Sequence, residues 1–108
     1  MKIIFCVPGL NFSNSFLSSW TKLIKYLELE LKYSPYLPKC GNHIENRGAM
    51  VNFSVIGRTC TQEAREIYAN WDEDFRERET FCELVERYFP HLEATVGGQI
   101  SIDIYPKG

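Results

Sequence analysis

Two stretches in which apolar and polar side chains alternate constrain the fold of this chain more than any other feature. Residues 51–55 place Val, Phe and Val at odd-numbered positions, with Asn and Ser between them. Residues 99–105 place Ile at every even-numbered position, with Gln, Ser, Asp and Tyr at the odd-numbered ones. Successive side chains of a β-strand point to opposite faces of the sheet, so each stretch predicts a half-buried antiparallel strand. We predict that both strands lie in one sheet, whose polar face is a candidate binding surface.

Two helices are predicted around these strands. Over residues 16–31 apolar side chains recur at helical spacing, which predicts an amphipathic helix. A second helix is predicted over residues 59–89, because Thr59 and Gln62 have capping-box spacing ahead of a long apolar stripe. Thr61 is an alternative cap for the same helix.

The other extended segments complete a small sheet. A turn at Gly48–Ala49 joins the first alternating stretch to an extended run before it, and residues 92–96 precede a two-residue turn at Gly97–Gly98. The apolar run Lys2–Val7 reads as a buried strand. The predicted fold is α+β, a four-stranded antiparallel sheet with two helices packed on one face, plus an N-terminal strand.

Composition restricts the class of partner. The 108 residues suffice for one small hydrophobic core. The formal net charge of -2 gives no excess of Lys and Arg, so no nucleic-acid partner is expected. Residues 2–7 are too short for the apolar region of a signal peptide, and no run reaches the roughly 20 apolar residues of a membrane span. We therefore expect a cytoplasmic protein without a membrane partner.

The cysteines and the densest group of charges are both expected to be structural. Cys6, Cys40, Cys60 and Cys82 are widely spaced, with neither a Cys-x-x-Cys pair nor a close histidine. This pattern indicates no zinc site and no redox motif, so reduced thiols are expected. Residues 72–79 mix acidic and basic side chains, which favours a solvated helix face.

Three arginines and two strand residues form a candidate site. Arg47 lies at the first turn, Arg58 follows the next strand, and Arg65 lies about one turn into the second helix. A guanidinium fork matches phosphate oxygens, and a helix N-terminus adds amide donors. Ser101 and Asp103 are neighbours on one strand face, where a hydroxyl and a carboxylate suit sugar hydroxyls. The set predicts a site for a sugar phosphate, while surface ion pairs and ordinary exposed positions remain open as the alternative.

The same residues carry a resemblance to a known family. The segments from Arg47 to Arg65 and from Gly97 to Gly108 resemble the cap domain of eukaryotic-type phosphomannomutases, which belong to the haloacid dehalogenase superfamily. The resemblance covers about residues 39–108. Where the family usually has Asn-Gly after the first arginine, this chain has Gly48–Ala49.

The resemblance implies a role for each candidate. Residues matching the three arginines bind the phosphate of mannose 1-phosphate or mannose 6-phosphate, and residues matching Ser101 and Asp103 bind the sugar. Asn52 and Gln99 lie in the same motifs and are added as substrate-binding candidates. The resemblance also implies cytoplasmic mannose metabolism leading to GDP-mannose, and a homodimer formed through the cap.

One family motif does not occur in the chain. Family members transfer phosphate through an aspartate of an Asp-x-Asp-x-Thr motif with Mg²⁺ beside it, and no such motif exists in this sequence. We therefore assign no catalytic residue and no metal ligand. A complete family member is an isomerase that requires Mg²⁺, whereas this chain alone is expected to bind a hexose phosphate without converting it.

Two other functions remain open. We divide the chain into residues 1–38, of uncertain origin, and the cap-like residues 39–108. The first part is weakly similar to the opening of some phage-type nucleotide-sugar glycosyltransferases, so a glycosyltransferase fragment is one alternative. The other is a noncatalytic protein-interaction module or homodimerisation domain.

Overall fold

The computed structural model describes residues 19–108, which form three helices and four strands. In chain order the elements are α1 (Ser19–Tyr33), β1 (Ile44–Asn46), β2 (Val51–Phe53), α2 (Gln62–Phe75), α3 (Glu77–Tyr88), β3 (Leu92–Gly97) and β4 (Ser101–Pro106). The predicted strand Lys2–Val7 lies outside the described residues.

The four strands form one antiparallel sheet in the order β1-β2-β4-β3. β1 and β2 form one hairpin, β3 and β4 form a second, and β2 pairs with β4 to join them. In this central pairing Val51 lies opposite Ile104, and Phe53 lies opposite Ile102. The apolar faces of the two alternating stretches are therefore continuous, and the predicted α+β fold with a four-stranded antiparallel sheet is confirmed.

The helices and the apolar face of the sheet enclose the core. α3 packs against β3 and β4. α1 contributes Leu23, Tyr26 and Leu27, each 0% exposed. The ring of Tyr26 packs edge-on against that of Phe89, with centroids 5.9 Å apart. Since a fully buried large apolar side chain contributes roughly 1.5–3 kcal/mol, this layer is the main source of stability.

The single helix predicted over residues 59–89 is wrong, because the chain forms two helices there. Arg76 separates α2 from α3 with a left-handed backbone, φ 56°. Two carboxylate oxygens of Asp72 explain the break: Oδ1 accepts from the backbone N–H of Arg78 at 3.0 Å, and Oδ2 accepts from its Nε at 2.7 Å. A continuous helix would carry Arg78 away from Asp72, so the turn at Arg76 permits this ion pair.

The prediction of a solvated charged face is also wrong for part of that segment. Asp72, Glu77 and Arg78 are 7%, 2% and 9% exposed. The carboxylate of Glu77 accepts hydrogen bonds from the hydroxyls of Tyr68 and Ser34, each at 2.9 Å. Buried charges persist when they are paired or hydrogen-bonded, and composition alone does not reveal those partners.

The turn between β3 and β4 is longer than the predicted two-residue turn. Gly97 pairs with Ser101, which leaves three residues between them. The last of these, Ile100, is only 5% exposed, so burial of its side chain in the core favours the wider turn. Arg78 Nη1 donates to the carbonyls of Gly97, Gly98 and Ser101 at 3.2, 3.0 and 3.2 Å. Arg78, which the helix break positions, therefore also holds the β3–β4 turn.

The expectation of reduced cysteines is wrong for one pair. Cys40 and Cys60 form a disulfide, with Cα atoms 5.4 Å apart. It joins the segment before β1 to the loop after β2, which lie side by side because Cys40 N–H donates to the carbonyl of Ile56 at 2.7 Å. Cys82 is a free, buried thiol, and Cys6 lies outside the described residues.

Candidate functional site

Four polar side chains form a row across the face of the sheet opposite the core. The strand register places Glu45 of β1 beside Asn52 of β2, Asn52 beside Asp103 of β4, and Asp103 beside Thr95 of β3. These positions alternate with the apolar residues of the core face. The face is less open at its centre than predicted, because Asn52 is only 6% exposed.

The carboxylate of Glu45 lies between two of the predicted arginines. Its Oε1 accepts a hydrogen bond from Arg47 Nε at 2.5 Å, and its Oε2 lies 3.8 Å from Arg58 Nε. Arg47 lies at the β1–β2 turn, where Gly48 has a positive φ of 84°. Met50 closes that turn, since Arg47 N–H donates to its carbonyl at 2.8 Å. The hairpin turn predicted at Gly48–Ala49 is confirmed.

Arg58 is more enclosed than Arg47, with its side chain 16% exposed against 47%. Its Nη1 donates to the carbonyl of Asn42 at 2.6 Å, whereas Nη2 is buried without a hydrogen-bond partner among the described residues. Burial lowers the pKa of this guanidinium, Glu45 and Asp103 act in the opposite direction, and Arg47 and Arg65 lower it further. All four charged groups therefore lie within electrostatic reach of Arg58.

The start of α2 positions Arg65 beside Arg58. The hydroxyl of Thr61 accepts from Ala64 N–H at 3.1 Å, so Thr61, the alternative cap, begins the helix. Arg65 Nη2 then donates to the backbone carbonyl of Arg58. Arg47, Arg58 and Arg65 are thus linked into one cluster, although they come from a turn, a loop and a helix.

Gln99 joins the second hairpin to the same region. Its Oε1 accepts a hydrogen bond from Gln62 Nε2 at 3.1 Å. Gln62 is the first residue of α2 and lies one turn before Arg65. The β3–β4 turn is therefore held beside the helix start that carries the third arginine.

Asp103 is held by a second pair of groups. Asn52 Nδ2 donates to its Oδ1 at 2.6 Å. A Cβ atom at Gly97 would lie 2.7 Å from its Oδ2, so any larger residue there would require this carboxylate to shift. Ser101 lies two residues before Asp103 on β4, on the same face of the sheet. Its side chain is partly exposed, as is that of Asp103.

Comparison with known proteins places the chain in a family. The family model for eukaryotic phosphomannomutase matches residues 15–108. The chain belongs to the eukaryotic phosphomannomutase family. The phosphomannomutase of Spinacia oleracea is 38% identical over 92 residues, which cover 81% of this chain and 37% of that protein. The probable phosphomannomutase of Caenorhabditis elegans is also 38% identical over 92 residues, covering 81% of this chain and 36% of that protein.

A further relative gives a similar picture. The phosphomannomutase of Triticum aestivum is 40% identical over 72 residues, 65% of this chain and 29% of that protein. The chain therefore spans about a third of the length of the curated phosphomannomutases it matches. The family match begins at residue 15 rather than near Lys39, so it includes α1. The likeness of residues 1–38 to glycosyltransferases stays a prediction.

The sequence did not single out two residues that shape this candidate site. Glu45 lies two residues before Arg47, so strand alternation alone would have placed both side chains on one face. Gly97 was interpreted as part of a turn, but it also lies against the Asp103 carboxylate, since a Cβ atom there would be 2.7 Å from Oδ2. The first was available from the sequence pattern, whereas the second depends on a contact between strands.

The described residues of this phosphomannomutase family member do not form a metal site. Within residues 19–108, no three His, Cys, Asp or Glu side chains lie together as potential metal ligands. The Asp72 carboxylate is engaged by Arg78. These residues therefore do not fit the Mg²⁺ that the family implies. Among the same residues, no helix combines the length and apolar character needed to cross a membrane.

Proposed function

We propose that this chain is the hexose-phosphate-binding cap domain of a phosphomannomutase that interconverts mannose 1-phosphate and mannose 6-phosphate. Two findings support the proposal: membership of the family, and the cluster of Arg47, Arg58 and Arg65. The cluster is the observation that carries it, because three guanidinium groups with only partial compensation attract a dianion.

The arginines would bind the phosphate group. Arg47 Nε donates to Glu45, which leaves its Nη groups to bind the phosphate. Arg58 Nη1 donates to the Asn42 carbonyl, so Arg58 would bind through Nη2, which has no hydrogen-bond partner among the described residues. Arg65 would contribute from the first turns of α2, where the helix N-terminus also favours negative charge. A phosphate dianion would relieve the mutual repulsion of the three cations, which is an affinity gain that a neutral sugar lacks.

The β4 side chains would bind the sugar. Asp103 accepts hydrogen bonds from sugar hydroxyls, and Ser101 both donates and accepts. Asn52 would act by holding the Asp103 carboxylate, to which it donates at 2.6 Å. Gln99 would act at the edge of the site, where it is joined to α2.

The transfer of phosphate would need groups that these 108 residues do not contain. The sequence has no Asp-x-Asp-x-Thr motif for an aspartyl nucleophile. In a complete enzyme Mg²⁺ would offset charge on the transferred group. We therefore assign substrate recognition to this chain and expect no turnover when it is assayed alone with Mg²⁺ and a hexose bisphosphate activator.

The location proposed for this function is the cytoplasm, as part of mannose metabolism leading to GDP-mannose. Disulfides are rare in that compartment, yet Cys40 and Cys60 are bonded. Each binding experiment should therefore keep these cysteines in one defined state, either disulfide-bonded or with both thiols reduced.

Calorimetric titration tests the proposal. The full chain is titrated with mannose 1-phosphate and mannose 6-phosphate, and Arg58→Ala and Arg47→Ala are compared with it. Loss of a charged hydrogen-bond donor to phosphate is expected to weaken binding about tenfold or more. Arg87→Ala is the matched control, since Arg87 is an exposed arginine in the last turn of α3. Circular dichroism confirms that each variant is folded.

The result also separates the alternatives. Absence of hexose-phosphate binding by the folded wild type would contradict the cap assignment and leave the interaction module or homodimer, which sedimentation analysis measures directly. Saturable binding of a nucleotide sugar that is unaffected by Arg58→Ala would favour the glycosyltransferase fragment.

A further inference from the structure

Glu45 contacts two of the three clustered arginines and has no role in the function proposed above. We propose that Glu45 is a positioning residue, whose carboxylate holds Arg47 by a hydrogen bond to Nε, lies near Arg58 Nε, and orients the Nη groups of Arg47 and Nη2 of Arg58 toward the phosphate. This inference rests on the proposed hexose-phosphate site and adds to it a residue that does not itself touch substrate.

The geometry at Glu45 favours this role over that of an isolated surface ion pair. Its two carboxylate oxygens face two different arginines, Oε1 at 2.5 Å from Arg47 Nε and Oε2 at 3.8 Å from Arg58 Nε. Its own backbone is fixed in β1, where it lies opposite Asn52. One strand residue thus sets the separation of two guanidinium groups that come from a turn and a loop.

The positive charges around Arg58 favour a carboxylate at the position of Glu45. Arg47 and Arg65 both lower the pKa of Arg58, which means that the three cations repel one another. Glu45 offsets part of that repulsion. The hydrogen bond from Arg47 is the largest effect and lowers the pKa of Glu45; burial opposes it, and the positive charges of Arg47 and Arg58 lower the pKa further. Glu45 is therefore ionised at neutral pH.

The arginines differ in how much positioning they need. Arg58 is already restrained, since its Nη1 donates to the Asn42 carbonyl at 2.6 Å. Arg47 has a side chain that is 47% exposed, and its hydrogen bond to Glu45 is the restraint on its guanidinium that the structure shows. Ordering a long exposed side chain opposes binding, so a carboxylate that orders it beforehand increases affinity.

The Glu45 carboxylate also repels the phosphate. Varying the salt concentration separates this repulsion from the positioning of Arg47. Repulsion between exposed charges is screened at high ionic strength, since the Debye length falls to about 3 Å at 1 M salt. The orientation of Arg47 through a short hydrogen bond is less sensitive to salt. If positioning dominates, loss of the Glu45 charge weakens binding, and the loss persists at high salt.

Titration of Glu45→Gln with mannose 1-phosphate at 0.1 M and 1 M salt provides the test. We expect this variant to bind about fivefold more weakly than wild type at both salt concentrations. The matched control is Glu93→Gln, which removes the same charge from the same sheet face, but on the opposite edge strand. In the Arg47→Ala background, most of the effect of Glu45→Gln is expected to disappear.

A second measurement does not require ligand. Arginine Nε–H signals in nuclear magnetic resonance report the order of each guanidinium group. In the free chain, Glu45→Gln is expected to shift the Arg47 Nε–H signal and increase its mobility, with a smaller change at Arg58, while Glu93→Gln leaves both unchanged.

The outcomes distinguish the two proposals. Failure of wild type to bind either hexose phosphate would contradict the proposed function. Wild-type binding accompanied by equal or tighter binding of Glu45→Gln at 1 M salt would overturn the positioning role alone. An unchanged Arg47 Nε–H signal in Glu45→Gln would overturn it independently of any ligand.

Discussion

At the scale of single residues, Glu30 carries the least compensated buried charge in the described part of the chain. Its side chain in α1 is 0% exposed, and neither carboxylate oxygen has a hydrogen-bond partner there. Burial, and after it the charge of Glu77, raise the pKa of Glu30 to about 7. The carboxyl group is therefore neutral in mild acid and must ionise in an apolar site above neutral pH.

This raised pKa makes stability depend on pH in a defined direction. The folded state holds the proton of Glu30 more tightly than an ordinary carboxyl with a pKa of 4.5 would. The free energy of unfolding is therefore expected to fall as pH rises from about 4.5 to 7, and to level off above that. Glu30→Gln is expected to be about 3 kcal/mol more stable than wild type at pH 8, and the difference is expected to shrink to less than about 1 kcal/mol at pH 5.

Urea denaturation at pH 5, 6, 7 and 8 measures this effect. Glu28→Gln is the control, because it makes the same substitution at an exposed position of the same helix. Part of the slope remains in Glu30→Gln, since burial also raises the pKa of Glu77. Parallel profiles for wild type and Glu30→Gln would contradict the prediction.

Gly97 illustrates a residue selected by contact rather than by backbone conformation. A Cβ atom there would lie 2.7 Å from Asp103 Oδ2 and 3.4 Å from its Cγ. Gly97→Ala is therefore expected to displace the carboxylate, weaken hexose-phosphate binding about tenfold, and reduce the free energy of unfolding by about 1 kcal/mol. Calorimetry and urea denaturation measure the two changes.

A double variant tests the stated cause. When Asp103 is replaced by alanine, the added methyl group at Gly97 no longer meets a carboxylate. The stability cost of Gly97→Ala is then expected to vanish in the Asp103→Ala background. Persistence of the full cost would show that the clash with Asp103 is not responsible.

At the scale of elements, the disulfide fixes the two segments that flank the first hairpin. Cys40 and Cys60 are separated by 20 residues, and β1, β2 and the Arg58 loop lie between them. Closing a loop of this length is expected to add about 3 kcal/mol to the free energy of unfolding, chiefly by restricting the unfolded chain. Reduction with dithiothreitol is therefore expected to lower the melting temperature of the wild type.

Thermal unfolding with and without the reductant measures this contribution. The double variant Cys40→Ser, Cys60→Ser is the control and is expected to melt at one temperature under both conditions. Titration with a thiol reagent under native conditions counts the accessible thiols, and buried Cys82 is expected to react only after unfolding. An unchanged wild-type melting temperature after confirmed reduction would contradict the prediction.

Sequence patterns predicted elements well where one face of the element meets the core. The strands β2 and β4 follow from alternation, and α1 from helical periodicity. The break at Arg76 was not predicted from the sequence. The ion pair that stabilises it, Asp72 with Arg78, is buried, whereas charged residues are usually exposed. The disulfide did not follow either, since it depends on two distant loops lying side by side.

At the scale of the whole molecule, the sequence selected the residues of the candidate site but did not predict the contacts between them. Family resemblance selected the arginines, Ser101 and Asp103 from two separated segments. The pattern alone could not show that Glu45 lies between Arg47 and Arg58, or that Asn52 is buried while it holds Asp103. The first contact comes from loop packing, and the second comes from strand register, which joins residues 51 positions apart in the chain.

The pairing of β2 with β4 has a consequence for the order in which the proposed site forms during synthesis. The three arginines all precede α3, and the hydroxyl and carboxylate of Ser101 and Asp103 belong to β4. During synthesis on the ribosome, the arginines would emerge first, and a nascent chain would gain the proposed contacts to the sugar only once β4 had paired with β2. Binding of the whole hexose phosphate would therefore require that β2 and β4 have paired, and chains without β4 would lack the sugar contacts.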